Sequence, residues 1–412
     1  MKKSKIITII LLFILLGAYT VIRGGNATND MRVFYYPVRD FLSGNDITAH
    51  LYFYAPVVVA LFTPIGCWNM YVAAGIWYLL NVIFFMLSLG LCASLLSSGD
   101  KPDRRLWIYP VMFSLIFIVD TLMLGQINML ILLLICSALY WIKKGKPETA
   151  GIFLGFASVL KITPLLFIAY FIFKKQFRIM KGVLISLLVF IVIIPVLFFG
   201  VGKTIEYHKT WFQRSFFPQV TNNEFMEGRF YRSGNQSLEA MANRFLTDLP
   251  YNIVSGKYLT IKSVSILHFG RNTVKWITRL LVLIILCIMM ILCRVPAEAH
   301  AGSSRLINFE YSLVLIAMVL ISPLSWTHHF VILLFPAFVI VDYIIDKSGD
   351  VFGRKLLKTL MIISFILFIG SLEPHIKALS PITIGTLLLF TGMLIALKKE
   401  EDSVVFRKSL DI

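Results

Sequence analysis

The sequence predicts an all-α polytopic membrane protein. Of its 412 residues, 58% are hydrophobic and only 15% are charged, whereas a soluble domain carries about 25% charged residues. Several apolar runs reach the roughly 20 residues that are needed to cross a bilayer. Short basic clusters separate these runs, as in loops on the cytoplasmic side of a membrane. We therefore expect one domain, residues 1–412, built as a bundle of roughly 10–13 transmembrane or half-membrane helices.

The composition also excludes several classes of partner. A net charge of +17 would indicate nucleic-acid binding in a soluble protein, but here the basic residues lie between membrane spans, and we expect no nucleic acid. The five cysteines lie in or beside apolar runs and lack metal-site spacing, so we expect neither disulfides nor a metal. The sequence contains no P-loop, no dinucleotide-binding glycine motif and no Asp-x-Asp pair. We therefore expect no cofactor and no direct use of a nucleotide.

The apolar runs, taken in order, predict the membrane helices. The clearest are residues 6–22, 70–97, 107–123, 128–142, 181–200, 273–293, 306–323, 329–345, 357–371 and 380–397. The first follows a basic start and also fits a cleaved signal peptide, but we favour an uncleaved span. Residues 53–66 are bounded by prolines and short enough to enter the membrane without crossing it.

Residues 149–173 predict a hairpin of two short helices. Lys161 and Pro164 interrupt this apolar run near its middle, and basic clusters flank it at Lys143–Lys146 and Lys174–Arg178. Both clusters favour the cytoplasm, so the segment should enter and leave the membrane on the same side. Its turn, Lys161–Pro164, should then point toward the opposite side.

Counting the spans assigns a side to each loop. With the amino terminus inside, all the basic loops fall inside by parity, and both termini are cytoplasmic. The segments that fall outside are residues 23–52, the turn 125–128, the loop 201–272, residues 326–329 and residues 372–379. We expect the loops 23–52 and 201–272 to form a cap over an outward-facing site in the cytoplasmic membrane.

The first outer loop, NDMRVFYYPVRDFLSGND, contains carboxylates beside an aromatic pair. Composition alone favours a solvated loop with aromatic residues at the membrane interface. The alternative is a general base close to the membrane surface. Asp30 is the first candidate and Asp40 the second, with Tyr35 and Tyr36 as substrate contacts.

Two further outer segments carry polar candidates. The turn GQIN is typical of a simple polar turn, but Gln126 and Asn128 are also suited to donate hydrogen bonds to a substrate. Lys161 lies within an apolar hairpin, where a cation costs roughly 3 kcal/mol and is a functional candidate by default. Its side chain either extends to the membrane surface or binds an anionic lipid phosphate.

The last two candidate segments lie in the loop 201–272 and at residues 326–329. RFYRSGNQSLEAMANRF fits a turn that enters an amphipathic helix, or a phosphate or sugar site with Arg232, Asn235 and Gln236. SPLSWTHHF offers Trp326 as a flat face for a sugar or prenyl chain and His328 and His329 as hydrogen-bond donors. Adjacent helical residues point about 100° apart, so we expect one histidine to face a phosphate and its neighbour to pack, with His329 favoured for the phosphate.

These motifs, in this order, resemble the family 87 glycosyltransferases of the GT-C superfamily, which include polyprenol-phosphate-mannose-dependent mannosyltransferases. The matching features are an acid before a Tyr-Tyr pair, a loose Tyr-Pro-Pro-like segment (FYAPVVVALFTP), a Gly-Gln-x-Asn turn, an Ala-Gly…Lys-x-x-Pro hairpin, Asn-Gln-Ser-Leu, and Ser-Pro-x-Ser-Trp-x-His-His. They extend from about residue 30 to residue 336. The segment FYAPVVVALFTP departs from the family pattern, because it has YAP where Tyr-Pro-Pro is usual.

The resemblance implies a GT-C-type bundle with its active site on the outer face. It implies an inverting transfer of a sugar, mannose in the resembled enzymes, from a polyprenyl-phosphate donor to a glycolipid or glycan acceptor. One carboxylate of the first outer loop, Asp30, would act as the base. The departing phosphate gains charge and needs donors, and we hypothesise that His328, His329, Lys161 and Arg232 supply them. In the same hypothesis Gln126, Asn128 and Gln236 position the sugars.

Three alternatives stay open. A flippase or transporter of envelope precursors would also be polytopic, but it predicts inverted repeats with paired broken helices, and the sequence shows none. A lipid-glycan ligase or polymerase would use lipid-diphosphate donors. A non-catalytic subunit of an envelope assembly would use the same motifs as scaffolding.

Overall fold

The computed structural model describes residues 3–49, 54–96, 103–217, 232–248, 251–255, 258–293, 305–346 and 350–410. In chain order its helices are α1 (Lys3–Gly25), α2 (Arg32–Leu42), α3 (Val57–Gly66), α4 (Met70–Leu96), α5 (Arg104–Leu124), α6 (Asn128–Lys143), α7 (Pro147–Leu160), α8 (Leu165–Phe173), α9 (Phe177–Phe199), α10 (Val201–Trp211), α11 (Leu238–Leu246), α12 (Arg271–Leu292), α13 (Arg305–Ile321), α14 (Thr327–Ile345), α15 (Val351–Gly370), α16 (Pro374–Ala378) and α17 (Pro381–Leu410). One antiparallel hairpin, β1 (Tyr251–Ser255) with β2 (Tyr258–Lys262), lies between α11 and α12.

The prediction of a helical, polytopic membrane protein is confirmed. Among the described residues, six helices are long and apolar enough to cross a membrane, namely α4, α5, α9, α12, α14 and the first part of α17. They differ in how deeply they are packed. Only 22% of the most apolar stretch is buried in α9 and in α12, whereas 78% is buried in α14. Helices α9 and α12 therefore face lipid. Helix α14 lies at the centre beside α13, whose residues 307–320 are all buried.

The predicted hairpin of short helices is also confirmed, because α7 and α8 are joined by the turn Lys161–Pro164. Glycines let α7 pack closely against α9. A Cβ atom added at Gly151 would lie 2.0 Å from the Ile179 carbonyl oxygen, and one added at Gly182 would lie 1.9 Å from the Glu148 carbonyl oxygen. Small residues are typical of such contacts in membranes. This packing anchors the hairpin and positions its turn.

The bundle has two chemically different ends. Helix α6 begins at Asn128 and ends at Lys143, and its 16 residues span about 24 Å. At the Lys143 end, Lys174 pairs with Glu310 at 2.9 Å and Arg178 pairs with Glu148 at 2.7 Å. The turns that the count of membrane spans assigns to the outside lie at the Asn128 end. The basic loops and the polar candidate residues are therefore separated by the length of a helix.

This separation predicts how the chain is labelled in cells. In a variant without native cysteines, Asn45→Cys and Leu372→Cys place exposed thiols at the Asn128 end, and Lys144→Cys places one at the other end. We expect an impermeant maleimide added to intact cells to label the first two but not the third, because basic loops stay in the cytoplasm. All three should react after permeabilisation. Labelling of Lys144→Cys in intact cells would show that the predicted topology is inverted.

Candidate active site

A cavity of about 1160 Å³ opens at the Asn128 end of the bundle. Its wall comes from segments far apart in sequence: the start of α2, the α5–α6 turn, the α7–α8 turn, the end of α10, the loop before α11, the α13–α14 junction and α16. Charged or imidazole side chains in this wall are Asp30, Arg32, Asp120, Lys161, Arg232, His328, His329 and Lys377. The cavity therefore collects many of the polar candidates from the sequence.

Asp30 is oriented by the turn between α5 and α6. Its backbone N–H donates to the Leu124 carbonyl at 3.0 Å, and its Oδ2 accepts a hydrogen bond from the Gln126 amide at 2.7 Å. The intervening Gly125 has a φ of +64°, which glycine adopts without strain. The Trp77 indole donates to the Gly125 carbonyl at 2.8 Å and holds the turn in place. The carboxylate is therefore held in a defined orientation.

Lys161 and Asn128 form a polar pair beside the cavity. The Lys161 ammonium donates to Asn128 Oδ1 at 2.7 Å. The amide nitrogen of Asn128 is buried, and no acceptor for it exists among the described residues. Apolar residues of the hairpin surround the lysine in the cavity wall, namely Val159, Leu160, Ile162, Leu165, Leu166 and Ala169. A cation at the foot of an apolar wall suits an amphipathic anion such as a lipid phosphate.

The two histidines start α14 in a tight 3₁₀ turn, and both line the cavity. Access to the cavity therefore does not separate them, but their contacts do. His328 Nδ1 lies 3.6 Å from Asp120 Oδ2. His329 Nδ1 lies 3.1 Å from the Leu324 carbonyl oxygen, so this nitrogen carries the proton and donates it there. A neutral His329 then offers the cavity only an acceptor nitrogen, whereas a protonated His328 would have the Asp120 carboxylate beside it and a second nitrogen that can donate to an anion.

The Asn-Gln-Ser segment lies behind the cavity wall. Arg232 and Trp326 line the cavity, but Asn235 and Gln236 are fully buried and bind protein. Asn235 Oδ1 accepts from the Ser325 backbone at 3.0 Å. The Gln236 amide donates to the carbonyls of Ser233 and Lys377 at 2.7 and 2.8 Å. These contacts connect the loop to the α13–α14 junction and to α16.

Three other candidates of the first outer loop are not in the cavity wall. The Tyr35 hydroxyl donates to the Trp68 carbonyl at 2.9 Å, and the Tyr35 ring packs against Tyr36 with ring centres 6.0 Å apart. Asp40 is buried and does not line the cavity. Of the two carboxylates considered as base, the structure brings only Asp30 to the other polar candidates.

Sequence reasoning missed four cavity residues: Arg32, Tyr54, Asp120 and Lys377. The Tyr54 hydroxyl lies 3.5 Å from Gln126 Oε1 and extends the hydrogen-bonded chain to Asp30. Asp120 had a usable signal, because an acid at the end of an otherwise apolar run is a functional candidate. Lys377 had none, since it lies in a short polar segment between two spans.

The described residues contain no group of three or more His, Cys, Asp or Glu side chains that could hold a metal ion. The cavity instead combines one oriented carboxylate with several basic side chains. A carboxylate can accept a proton from a hydroxyl, and fixed cations can stabilise an anion that forms nearby. This combination suits group transfer from a phosphate leaving group.

Comparisons with known proteins place the chain in a family. A family model described as "Glycosyltransferase family 87" matches residues 52–323. No curated protein matches the sequence. Among solved structures, the crystal structure of ArnT from Cupriavidus metallidurans bound to undecaprenyl phosphate is similar with a TM-score of 0.44 and 11% sequence identity, over 94% of this chain and 76% of that chain.

The contacts of the two histidines predict different mutant phenotypes. We expect His328→Ala to lower turnover by about 10²-fold, the size of effect seen when one donor to a developing anion is lost, and to leave donor affinity and the unfolding temperature nearly unchanged. His329→Ala should mainly lower the unfolding temperature, because it loses the bond to Leu324. Turnover, donor affinity and thermal unfolding of both variants test this. Equal effects on turnover would contradict the assignment.

Proposed function

The chain belongs to glycosyltransferase family 87, and we propose that it transfers a sugar from a polyprenyl-phosphate donor to a lipid- or glycan-linked acceptor. Mannose is the sugar that the motif resemblance favours. One observation carries the proposal: Asp30, oriented by Gln126, shares a cavity with Lys161, which lies at the foot of an apolar wall. A base (Asp30), a cation for the phosphate (Lys161) and an apolar surface for the lipid are thus combined in one site.

In the proposed reaction an acceptor hydroxyl attacks the anomeric carbon of the donor sugar. The new C–O bond forms as the bond to the phosphate oxygen breaks, and the phosphate leaves with the electron pair. The hydroxyl proton passes to the Asp30 carboxylate. Attack from the face opposite the leaving group inverts the anomeric configuration. Lys161, His328 and Arg232 would stabilise the charge that develops on the phosphate.

The apolar wall around Lys161 supports a lipid donor over a soluble nucleotide sugar. Leu165, Leu166 and Ala169 are spaced along one side of α8 and line the cavity, and Leu165 remains 44% exposed. A prenyl chain that leaves the phosphate at Lys161 would bury this surface, with a gain of roughly 25 cal/mol for each Å². A soluble nucleotide sugar has no apolar chain that could bury this surface.

The proposed enzyme works at the outer face of the cytoplasmic membrane. The cavity lies at the end of the bundle away from the basic loops, and the positive-inside rule assigns those loops to the cytoplasm. This arrangement supports an outer active site, cytoplasmic termini and an acceptor that is reached from outside.

The donor class can be tested with purified protein. We expect incubation with an extract of acceptor lipids and a panel of polyprenyl-phosphate sugars to release free polyprenyl phosphate from one or more of them, polyprenyl-phosphate mannose first. Polyprenyl-diphosphate sugars serve as the comparison class. Release of polyprenyl diphosphate from those lipids, and of nothing from the monophosphate donors, would favour the ligase alternative.

The base can be tested with Asp30→Asn, which keeps the size of the side chain and an oxygen for the Gln126 amide. We expect transfer to fall by about 10²–10⁴-fold, as for the loss of a general base, with donor binding retained. Asp40→Asn is the matched control, since Asp40 is not in the cavity wall. If Asp30→Asn stays active and Asp40→Asn does not, the assignment of the base is wrong.

A further inference from the structure

Lys377 reaches the cavity from a part of the chain that the family model does not cover. It belongs to the five-residue helix α16, Pro374–Ala378, whereas the match ends at residue 323. It lines the same cavity as Asp30, Lys161 and His328. Burial lowers the pKa of the Lys377 ammonium, and the negative charge of Asp120 opposes this effect. A partly buried cation therefore shares the cavity with the Asp120 carboxylate, and no role has yet been assigned to it.

Two buried side chains of the outer loop hold the backbone around Lys377. The Gln236 amide donates to the Lys377 carbonyl at 2.8 Å, and the Ile382 N–H donates back to Gln236 Oε1 at 3.3 Å. The Arg244 guanidinium donates to the Ala378 carbonyl at 3.1 Å and to Ser380 Oγ at 2.5 Å. A buried guanidinium is costly unless hydrogen-bonded. These bonds fix the position from which the lysine enters the cavity.

Arg244 also connects this segment to Arg232. Its guanidinium donates to the Asn235 carbonyl at 3.0 Å, in the turn that carries Arg232 to the cavity. One buried arginine therefore sets two basic residues, Arg232 and Lys377, relative to each other. The Asn-Gln-Ser segment and Arg244 act on the cavity through the residues that they hold.

The charges of the cavity indicate which anion it suits. The described lining residues include four basic side chains, Arg32, Lys161, Arg232 and Lys377, and two carboxylates, Asp30 and Asp120. These six side chains alone leave two positive charges unbalanced. A sugar phosphodiester carries one negative charge, while the polyprenyl phosphate that leaves approaches two, since its second pKa is about 6. The cavity is thus better matched to the departing phosphate than to the intact donor.

We propose, on the basis of the proposed function, that Lys377 is a second phosphate-binding cation, which acts with Lys161 on the departing polyprenyl phosphate. Lys161 lies at the apolar wall and binds the phosphate in both the donor and the product. Lys377 supplies the charge needed when the phosphate becomes a dianion. Gln236 is a positioning residue that acts through Lys377, and Arg244 is one that acts through both Lys377 and Arg232.

The test compares two lipids at pH 8: polyprenyl phosphate, a dianion, and a polyprenyl-phosphate sugar, a monoanion. Their affinities are measured for the full-length protein and for Lys377→Met, Lys377→Arg and Lys161→Met. Lys144→Met is the matched control, because Lys144 is exposed at the other end of the bundle. Thermal unfolding of each variant confirms that it is folded.

We expect Lys377→Met to weaken binding of polyprenyl phosphate by about 10-fold or more and binding of the sugar donor by much less. A loss of 1.4 kcal/mol corresponds to a factor of ten. Lys377→Arg should keep most of the affinity, because it keeps the charge. Lys161→Met should weaken binding of both lipids, and Lys144→Met should change neither.

The outcomes separate this inference from the proposed function. If Lys161→Met weakens binding and Lys377→Met does not, the role of Lys377 is overturned and the proposed donor stands. If Lys377→Met weakens both lipids equally, the lysine does not discriminate the departing phosphate and the inference fails. If the unaltered protein binds neither lipid, both the inference and the proposed donor are wrong.

Discussion

The arrangement of the site depends on how an apolar bundle accommodates the ammonium of Lys161. An isolated buried cation is expensive, and the hydrogen bond to Asn128 at 2.7 Å offsets part of this cost. That bond forms only if the α7–α8 turn contacts the first residue of α6. This contact depends on the close packing of α7 against α9 that the glycines allow. A single polar contact therefore links the hairpin, the α5–α6 turn and the cavity.

The remaining walls of the cavity are held by residues that do not line it. Asn235 ties the outer loop to the α13–α14 junction through Ser325, and Gln236 and Arg244 tie it to α16. Because α13 and α14 lie at the buried centre of the bundle, they present the histidine pair from its packed interior. Polar motifs near the site thus divide into residues that face the cavity and residues that fix its walls.

Much of the fold and part of the site could be predicted from the sequence. The apolar runs and basic clusters predicted the spans, and Lys161 with Pro164 predicted the hairpin that the structure confirms. Asp30, Gln126, Lys161, Arg232, Trp326 and the two histidines were predicted and share one cavity. Asn235 and Gln236 looked the same in sequence, because a polar side chain in a loop does not reveal whether it faces a cavity or a neighbouring backbone.

The sequence by itself determined that the chain is a membrane bundle with its unusual polar residues gathered at one end. Hydropathy and charge decide this, because the bilayer penalises every misplaced polar group. Only the tertiary structure decided which residues meet. It placed Asp30 but not Asp40 in the cavity wall, and it brought Asp120 and Lys377 there as well. It also distinguished His328 from His329 by their partners. Such contacts depend on how helices that are distant in sequence pack together, and the periodicity of one helix cannot predict them.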